Sequence, residues 1–147
     1  MQRKASAIWH GKLKTGRGEI STASNALSRA AYSFGTRFEN GPGTNPEELI
    51  AAAHAACFSM ALSLGLEKAG ASPDSISTSA TVTLDQVGGG WSVVESHLDV
   101  TADIRGISED AFQSAATEAK NNCPISRLLN TNITMSAKLA KLGGKAA

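Results

Sequence analysis

One uncharged run of 16 residues, over positions 49–64, constrains the fold of this chain more than any other feature. Asn45 and Pro46 precede it and suit the N-cap and the first position of a helix, and Glu48 suits the third position of a capping box. Gly70 follows the run and is typical of a helix C-terminus. These signals predict a helix that begins at Pro46 and ends directly before Gly70.

The predicted helix is apolar nearly all round, so we expect it to be buried nearly all round as a core helix. Its uncharged run is shorter than the ~20 residues of a membrane-spanning helix. Gly65 follows the run, and the charged residues Glu67 and Lys68 come shortly after it. We therefore expect a helix inside a globular core and no membrane partner.

Composition narrows the class of protein. A length of 147 residues fits one domain, and a formal net charge of +1 gives no reason to expect nucleic acid as a partner. Residues 1–11 carry charges but lack the apolar segment of a secretion signal. Two cysteines without such a signal are typical of a reducing compartment, so we expect a cytoplasmic protein.

The rest of the pattern predicts short strands and a second helix. Alternating apolar residues and turn signals favour an α+β fold, with a largely antiparallel sheet packed against two helices. Ser108 suits the N-cap of the second helix, and Pro124 is expected to restart it. The tail, over 143–147, is expected to be frayed. We predict strands over 5–9, 32–38, 80–84, 98–104 and 133–139, a turn over 88–90, and the second helix over 109–121, with Ala111, Phe112, Ala115, Ala116 and Ala119 on its apolar stripe.

The two cysteines stand in different settings. Cys57 lies in the middle of the apolar helix, where it is either an inert core thiol or a reactive thiol that needs a cation from elsewhere. Cys123 directly precedes Pro124, either at the N-terminal end of a new turn that favours a thiolate or at a helix break without chemical role. Their wide separation in sequence excludes a CxxC motif.

His54 and Arg37 are further candidates. His54 lies on the same helical face as Cys57, so a nucleophile–base pair is possible, and a core histidine hydrogen-bonded to the backbone is the alternative. No cysteine or histidine pair has the short spacing of a zinc site, so neither metal nor cofactor is expected. Arg37 is exposed by default, and a partly buried arginine near the helix would instead need a carboxylate partner. Glu47 and Glu48 suit the first turn of the helix, and catalysis by a pair of carboxylates is the alternative.

Three stretches, 34–38, 43–63 and 122–126, resemble the osmotically inducible protein C (OsmC) family, and the likeness extends from Trp9 to the last strand. It is closer than the likeness to the sister group, the organic hydroperoxide resistance proteins. The resemblance implies one OsmC-like domain over 1–147. It also implies an intertwined homodimer, in which sheets wrap two central helices and the active sites lie at the subunit interface.

The resemblance further implies a stress-response thiol peroxidase that reduces organic hydroperoxides to alcohols. Cys57 matches the peroxidatic cysteine and Cys123 the resolving one, while Arg37 and Glu47 match the assisting pair. An external dithiol would regenerate the enzyme. The resemblance points to lipoyl-bearing proteins for this role, and the sequence leaves thioredoxin and glutathione systems open.

These implied roles raise a geometric question. Glu47 and Cys57 lie ~15 Å apart along one straight helix, so they cannot touch within one chain. Glu47 would therefore act through a bidentate pair with Arg37, or the site would combine two chains. Two other functions stay open, namely a hydrolase or acyltransferase that uses Cys57 with His54, and a non-enzymatic stress-related ligand-binding dimer.

Overall fold

The structure, a computed structural model, describes residues 1–140, so the tail over 143–147 lies outside the described residues. The chain divides into two compact units, Met1–Leu49 and Ile50–Ala147. The expectation of a single domain stays a prediction.

The first unit contains a three-stranded antiparallel sheet with its strands in chain order. Its elements are β1 (Ala5–His10), β2 (Arg17–Thr22), β3 (Ala30–Ser33) and the short helix α1 (Phe34–Phe38).

Gly18 lets two aromatic rings meet across this sheet. It lies opposite Trp9 on β1 and opposite Tyr32 on β3. The two ring centroids are 5.3 Å apart. A Cβ atom at Gly18 would collide with the Tyr32 ring, so the aromatic pair requires glycine at this position.

The strand predicted over 32–38 is wrong beyond Ser33, because a capping box turns the chain into α1. The Thr36 amide donates to Ser33 Oγ at 3.2 Å, and the Ser33 amide donates to Thr36 Oγ1 at 2.9 Å. These reciprocal bonds satisfy amides that a strand would have to pair elsewhere. As a result Arg37 lies on a helical turn.

Helix α2 (Pro46–Lys68) begins where the sequence predicts and ends one residue before the predicted end. The Glu48 amide donates to Asn45 Oδ1 at 2.8 Å, which confirms Asn45 as the N-cap. At the other end Gly70 has a φ of 81°, and the Ala71 amide donates to the Leu66 carbonyl at 3.0 Å. This is the Schellman arrangement that glycine favours.

The expectation that α2 is buried nearly all round is wrong for the single chain. Only one face is buried, formed by His54, Phe58, Leu62 and Leu66. An apolar stripe on another face is exposed and consists of Ala53, Ala56, Met60 and Leu64. Apolar composition shows which residues avoid water but not what covers them.

The length of α2, 23 residues, and the mean hydropathy of 1.8 over an 18-residue window within it would also allow it to cross a membrane. Core helices of soluble proteins pass the same test, so these two properties alone decide nothing. The four buried residues of α2 place one of its faces in a protein core.

The second unit contains a three-stranded sheet and two further helices. The first two strands form a long antiparallel hairpin, and the third pairs with the second in parallel. The predicted strands over 80–84 and 98–104 are therefore parts of much longer strands. The elements are β4 (Pro73–Val87), β5 (Gly90–Ile104), α3 (Glu109–Asn122), α4 (Pro124–Leu128) and β6 (Asn132–Leu139).

The core of the second unit lies between its helices and one face of its sheet. Ser108 caps α3 by accepting from the Ala111 amide at 3.2 Å. Ala111 itself is exposed, so it does not belong to the predicted apolar stripe. The α+β class is confirmed. The core consists mainly of Phe58, Leu62, Leu66, Leu98, Val100, Ala102, Ile104, Phe112, Ala115, Ala116 and Ala119.

Candidate active site

The two cysteines meet in the second unit. Their Sγ atoms are 2.8 Å apart, with the Cys123 thiol donating to Cys57 Sγ, and both thiols are free. Cys123 is the C-cap of α3, and its backbone amide donates a hydrogen bond to the Ala119 carbonyl at 2.9 Å. It is also the N-cap of α4, with Pro124 in the first helical position. Because proline cannot continue α3, the chain turns at Cys123, and this turn carries its thiol to α2.

The two thiols differ in their access to solvent. Cys123 has 0% of its surface exposed, whereas Cys57 is partly exposed. A groove of about 540 Å³ borders Cys57, and its walls are largely apolar. Met60, Leu64, Ala115 and Pro124 are among its lining residues. A small molecule can therefore reach Cys57 directly but not Cys123.

The surroundings of Cys57 act on its thiol in opposite directions. Burial is the largest effect and raises its pKa, and the proximity of the second thiol, Cys123, raises this pKa further. The backbone amide of Ile125 donates to Cys57 Sγ and lowers the pKa. The first turn of α4 thus directs an amide to Cys57, whereas one of the two interpretations of the sequence had this turn favour a thiolate at Cys123.

His54 has no ring nitrogen available for Cys57. Nδ1 shares a hydrogen bond of 2.7 Å with Ser96 Oγ, and Nε2 shares one of 2.9 Å with Ser126 Oγ. Burial lowers the pKa of His54, which favours the neutral imidazole. This arrangement disfavours His54 as a base for Cys57. The alternative prediction, a core histidine bonded to the backbone, is confirmed in its location, but its partners are hydroxyl groups rather than the backbone.

Arg37 and Glu47 form a bidentate pair in the first unit. Nη2 of Arg37 donates to Oε1 of Glu47 at 2.6 Å, and Nε donates to both carboxylate oxygens at 3.1 and 3.2 Å. Arg37 is on α1, and Glu47 is in the first turn of α2. The side chain of Arg37 is 36% exposed and that of Glu47 only 12%. The pair therefore presents a fixed guanidinium to solvent.

Aromatic rings surround this guanidinium. Its Cζ atom lies 5.3 Å from the centre of the Phe38 ring, a distance at which the ring attracts a cation. Trp9, Tyr32 and Phe34 join Arg37 and Phe38 in lining a cavity of about 270 Å³. The cavity combines apolar walls with one cation.

The structure thus contains the predicted residues in two clusters, one in each unit. Cys57 and Cys123 lie together in the second unit, and Arg37 and Glu47 lie together in the first. Within residues 1–140, no three or more histidine, cysteine, aspartate or glutamate side chains converge on a possible metal position.

Sequence reasoning missed the two serines that hold His54, although the pattern contained a signal for each. Ser96 continues the buried alternation of Leu98 and Val100 on β5, and a polar residue on a core face requires a partner. Ser126 lies one turn after Cys123. Since His54 is the polar residue on the buried face of α2, it was the natural partner for both.

Comparisons with known proteins agree with this fold and these motifs. The family model described as OsmC-like protein matches residues 39–138. The peroxiredoxin OsmC of Escherichia coli is 46% identical over 139 residues, which cover 95% of this chain and 97% of that protein. An organic hydroperoxide resistance protein of Xanthomonas axonopodis is 32% identical over 106 residues, 68% of this chain and 69% of that protein.

Solved structures show the same fold. An OsmC-like protein of unknown function from Vibrio cholerae superimposes with a TM-score of 0.75 at 17% identity, over 94% of this chain and 99% of that one. The organic hydroperoxide resistance protein OhrB of Bacillus subtilis gives 0.70 at 24% identity, over 93% and 98%. Sequence identity and family match together show that the chain belongs to the OsmC family.

Proposed function

We propose that this protein is a stress-response thiol peroxidase, which reduces organic hydroperoxides to alcohols with Cys57 and Cys123. One observation carries the proposal: an accessible thiol contacts a fully buried one at 2.8 Å. A peroxide can reach only the first thiol, and the second is already in place to react with the product. The names of the relatives, a peroxiredoxin and an organic hydroperoxide resistance protein, support this chemistry.

The first step oxidises Cys57. Its thiol loses a proton, and the thiolate attacks the terminal oxygen of the hydroperoxide. An S–O bond forms as the O–O bond breaks, and the leaving alkoxide takes up a proton to become the alcohol. Cys57 is then a sulfenic acid. The amide of Ile125 supports this step because it donates to the sulfur and favours its charged form.

The second step closes a disulfide. The Cys123 sulfur attacks the sulfur of the Cys57 sulfenic acid, so that an S–S bond forms and the S–O bond breaks. The leaving hydroxide combines with the thiol proton of Cys123 as water. Both cysteines are oxidised at the end, and two electrons from an external dithiol are needed to restore them.

In this proposal Arg37 and Glu47 assist the first step. Arg37 would supply the cation that stabilises the Cys57 thiolate, and it would orient the peroxide. A guanidinium suits this role because it is always charged and holds its N–H donors in a fixed plane. Glu47 would hold the guanidinium through the observed bidentate pair. These roles rest on the motif positions of both residues and on the chemistry of their pair.

The apolar groove beside Cys57 supports alkyl or lipid hydroperoxides as substrates. Its walls offer an organic substituent contact area that hydrogen peroxide cannot use. The ratio of kcat/KM for cumene hydroperoxide to that for hydrogen peroxide measures this preference. Equal values for the two would contradict it.

A homodimer is part of the proposal. The exposed apolar stripe of α2 includes Met60, 75% exposed, and Leu64, 52% exposed. Contiguous apolar surface of this kind is typical of an interface. A second copy seated on the stripe would also roof the groove, because Met60 and Leu64 line it. Sedimentation of the wild type and of Leu64→Glu tests this, with the variant expected to shift toward monomer.

The regenerating partner would be an external dithiol, and the family resemblance favours a lipoyl-bearing protein. Such a cycle requires a compartment that keeps thiols reduced, in agreement with a cytoplasmic location. Turnover assays with lipoyl, thioredoxin and glutathione systems in parallel would identify the reductant.

One titration tests the central proposal. Reduced protein is treated with increasing cumene hydroperoxide while free thiols and intact mass are followed. Both thiols of each chain should disappear together, with an internal Cys57–Cys123 disulfide in the peptide map. Stable thiols in the presence of the peroxide would eliminate the proposal.

The Cys123→Ser variant is the matched control for the second step. It should stop at the sulfenic acid of Cys57 or proceed to the sulfinic acid, because no thiol is available to capture the intermediate. The Cys57→Ser variant should lose no thiol to peroxide, since the remaining thiol is buried. Full turnover by Cys123→Ser with a dithiol would show that Cys123 does not resolve.

A further inference from the structure

His54 joins the elements that carry the two cysteines. It lies on α2, one turn before Cys57, and none of its surface is exposed. Both ring nitrogens share hydrogen bonds with serine hydroxyls. The chemistry proposed above does not use this residue, although a buried polar side chain bonded at both nitrogens is a strong structural constraint.

One of these bonds reaches the turn of the resolving cysteine. Ser126 and Cys123 belong to the same turn, since Arg127, the residue after Ser126, donates its amide to the Cys123 carbonyl at 3.0 Å. Ser126 is only 7% exposed. The His54–Ser126 bond, at 2.9 Å, therefore ties α4 to α2. The position of Cys123 depends on this turn because Cys123 is its N-cap.

The other bond fixes the ring itself. Ser96 holds Nδ1 at 2.7 Å from the core face of β5, and it is fully buried. Rotation of the ring away from Ser126 would also break its bond to Ser96. Burial also lowers the pKa of His54, so the ring stays neutral near neutral pH and each hydroxyl can donate to it or accept from it.

We propose that His54 is a positioning residue for the second step of the reaction, because through Ser126 it holds Cys123 within attack distance of Cys57. The inference rests on the peroxidase function proposed above and adds a residue to it. The fate of the sulfenic acid depends on this placement. If Cys123 attacks first, a disulfide forms. If a second hydroperoxide reacts first, it transfers an oxygen to the sulfur, leaves as alcohol, and produces a sulfinic acid that Cys123 cannot reduce.

Two serine variants distinguish a role of His54 in positioning Cys123 from a general contribution of its hydrogen bonds to the stability of the core. Ser126→Ala and Ser96→Ala each remove one hydroxyl from His54 at a buried site, but only Ser126 belongs to the Cys123 turn. Reduced protein is mixed with one equivalent of cumene hydroperoxide, quenched in acid at set times, and analysed by intact mass. Disulfide formation from the sulfenic acid should be about tenfold slower in Ser126→Ala and less than about threefold slower in Ser96→Ala.

Two variants of His54 itself make the same comparison, because one can keep the bond to Ser126 and the other the bond to Ser96. The longer side chain of His54→Gln can place its amide near the former Nε2 and keep the bond to Ser126. The shorter His54→Asn can keep only the bond to Ser96. Each variant leaves one serine without its partner, so similar thermal midpoints of the reduced proteins are expected. Disulfide formation should stay within about threefold of wild type in His54→Gln and slow about tenfold in His54→Asn.

Three results would overturn the inference. Ser126→Ala could form the disulfide at the wild-type rate, Ser96→Ala could slow as much as Ser126→Ala, or His54→Asn could equal or exceed His54→Gln. If one pair fails to fold, the other pair gives the answer alone. Failure of the peroxidase function itself has a different signature, because wild-type protein would then consume no thiol and Cys123→Ser would never yield a sulfenic acid.

Discussion

Two polar clusters of this chain differ in charge and exposure. Arg37 and Glu47 form a charged pair whose arginine is partly exposed, whereas His54, Ser96 and Ser126 form a neutral cluster inside the core. Arg37 uses Nε and Nη2 toward Glu47, whereas His54 uses both of its ring nitrogens toward the two serines. Only the first cluster leaves its central group open to a ligand.

The difference follows from the cost of burying charge. A guanidinium in water keeps much of its hydration, so Arg37 can be held by one carboxylate and still bind a further group. An imidazole in the core must be neutral and fully partnered, so His54 can only hold other parts of the protein in place. We therefore expect changes at Arg37 to alter chemistry, and changes at His54 to alter stability and the geometry of the thiols.

Between the two clusters, the largest expected effect is on activity, at Arg37. Arg37→Ala removes the proposed cation and should lower kcat/KM for cumene hydroperoxide by about 100-fold, comparable to the loss of one charge-assisted hydrogen bond. Steady-state turnover with an excess of dithiol measures it.

The chain offers a matched control for this variant. Arg29 also forms a bidentate pair in the first unit, with Glu19, through bonds of 2.8 and 3.0 Å. Arg29→Ala should keep wild-type turnover. An equal loss in both variants would mean that any arginine–glutamate pair of this unit matters only for folding.

The second effect is on stability. His54→Leu fills a similar volume but leaves the hydroxyls of Ser96 and Ser126 without their partner inside the core. Unpaired buried groups cost ~1–3 kcal/mol each, so we expect the free energy of unfolding to fall by about 3 kcal/mol. Urea unfolding of the reduced protein measures it. A value close to wild type would show that the serines find other partners at little cost.

The smallest effect is the pH dependence of this stability. Burial lowers the pKa of His54 in the folded chain, so between this pKa and the ordinary value of ~6.5 the unfolded chain binds more protons. The contribution of His54 is complete above that ordinary value. It is lost as the pH falls below it, with a slope of at most ~1.4 kcal/mol per pH unit.

The His54→Gln variant isolates this contribution. Its unfolding free energy is subtracted from that of the wild type at each pH, which removes the titration of the other groups. The difference should decrease on going from pH ~7.5 to pH ~5. A difference that is constant with pH would show that His54 has the same pKa in both states.

The sequence predicted local structure well where a short-range signal decides the conformation. The caps of α2 at Asn45 and Gly70 and the cap of α3 at Ser108 are all present. The strand expected over 32–38 was wrong beyond Ser33 because two local signals compete there. The capping box of Ser33 and Thr36 begins a helix, whereas the aromatic residues nearby favour a strand.

The candidate site was predictable from motifs only in part. The resemblance singled out Cys57, Cys123, Arg37 and Glu47, and the structure places them in two close pairs. The donation of the Ile125 amide to Cys57 was not foreseen, because backbone groups leave no mark in the sequence. The catalytic roles of the four side chains stay predictions until the variants above are measured.

By itself, the sequence determined the two long helices, their caps and the family, because caps, periodicity and motif order act over a few residues. Only the tertiary structure decided which thiol is exposed, which face of α2 is covered, and which partners His54 has. These properties depend on contacts between residues far apart in the chain. Cys57 and Cys123 show this most clearly, since the sequence separates them by 66 positions and the fold brings their sulfur atoms into contact.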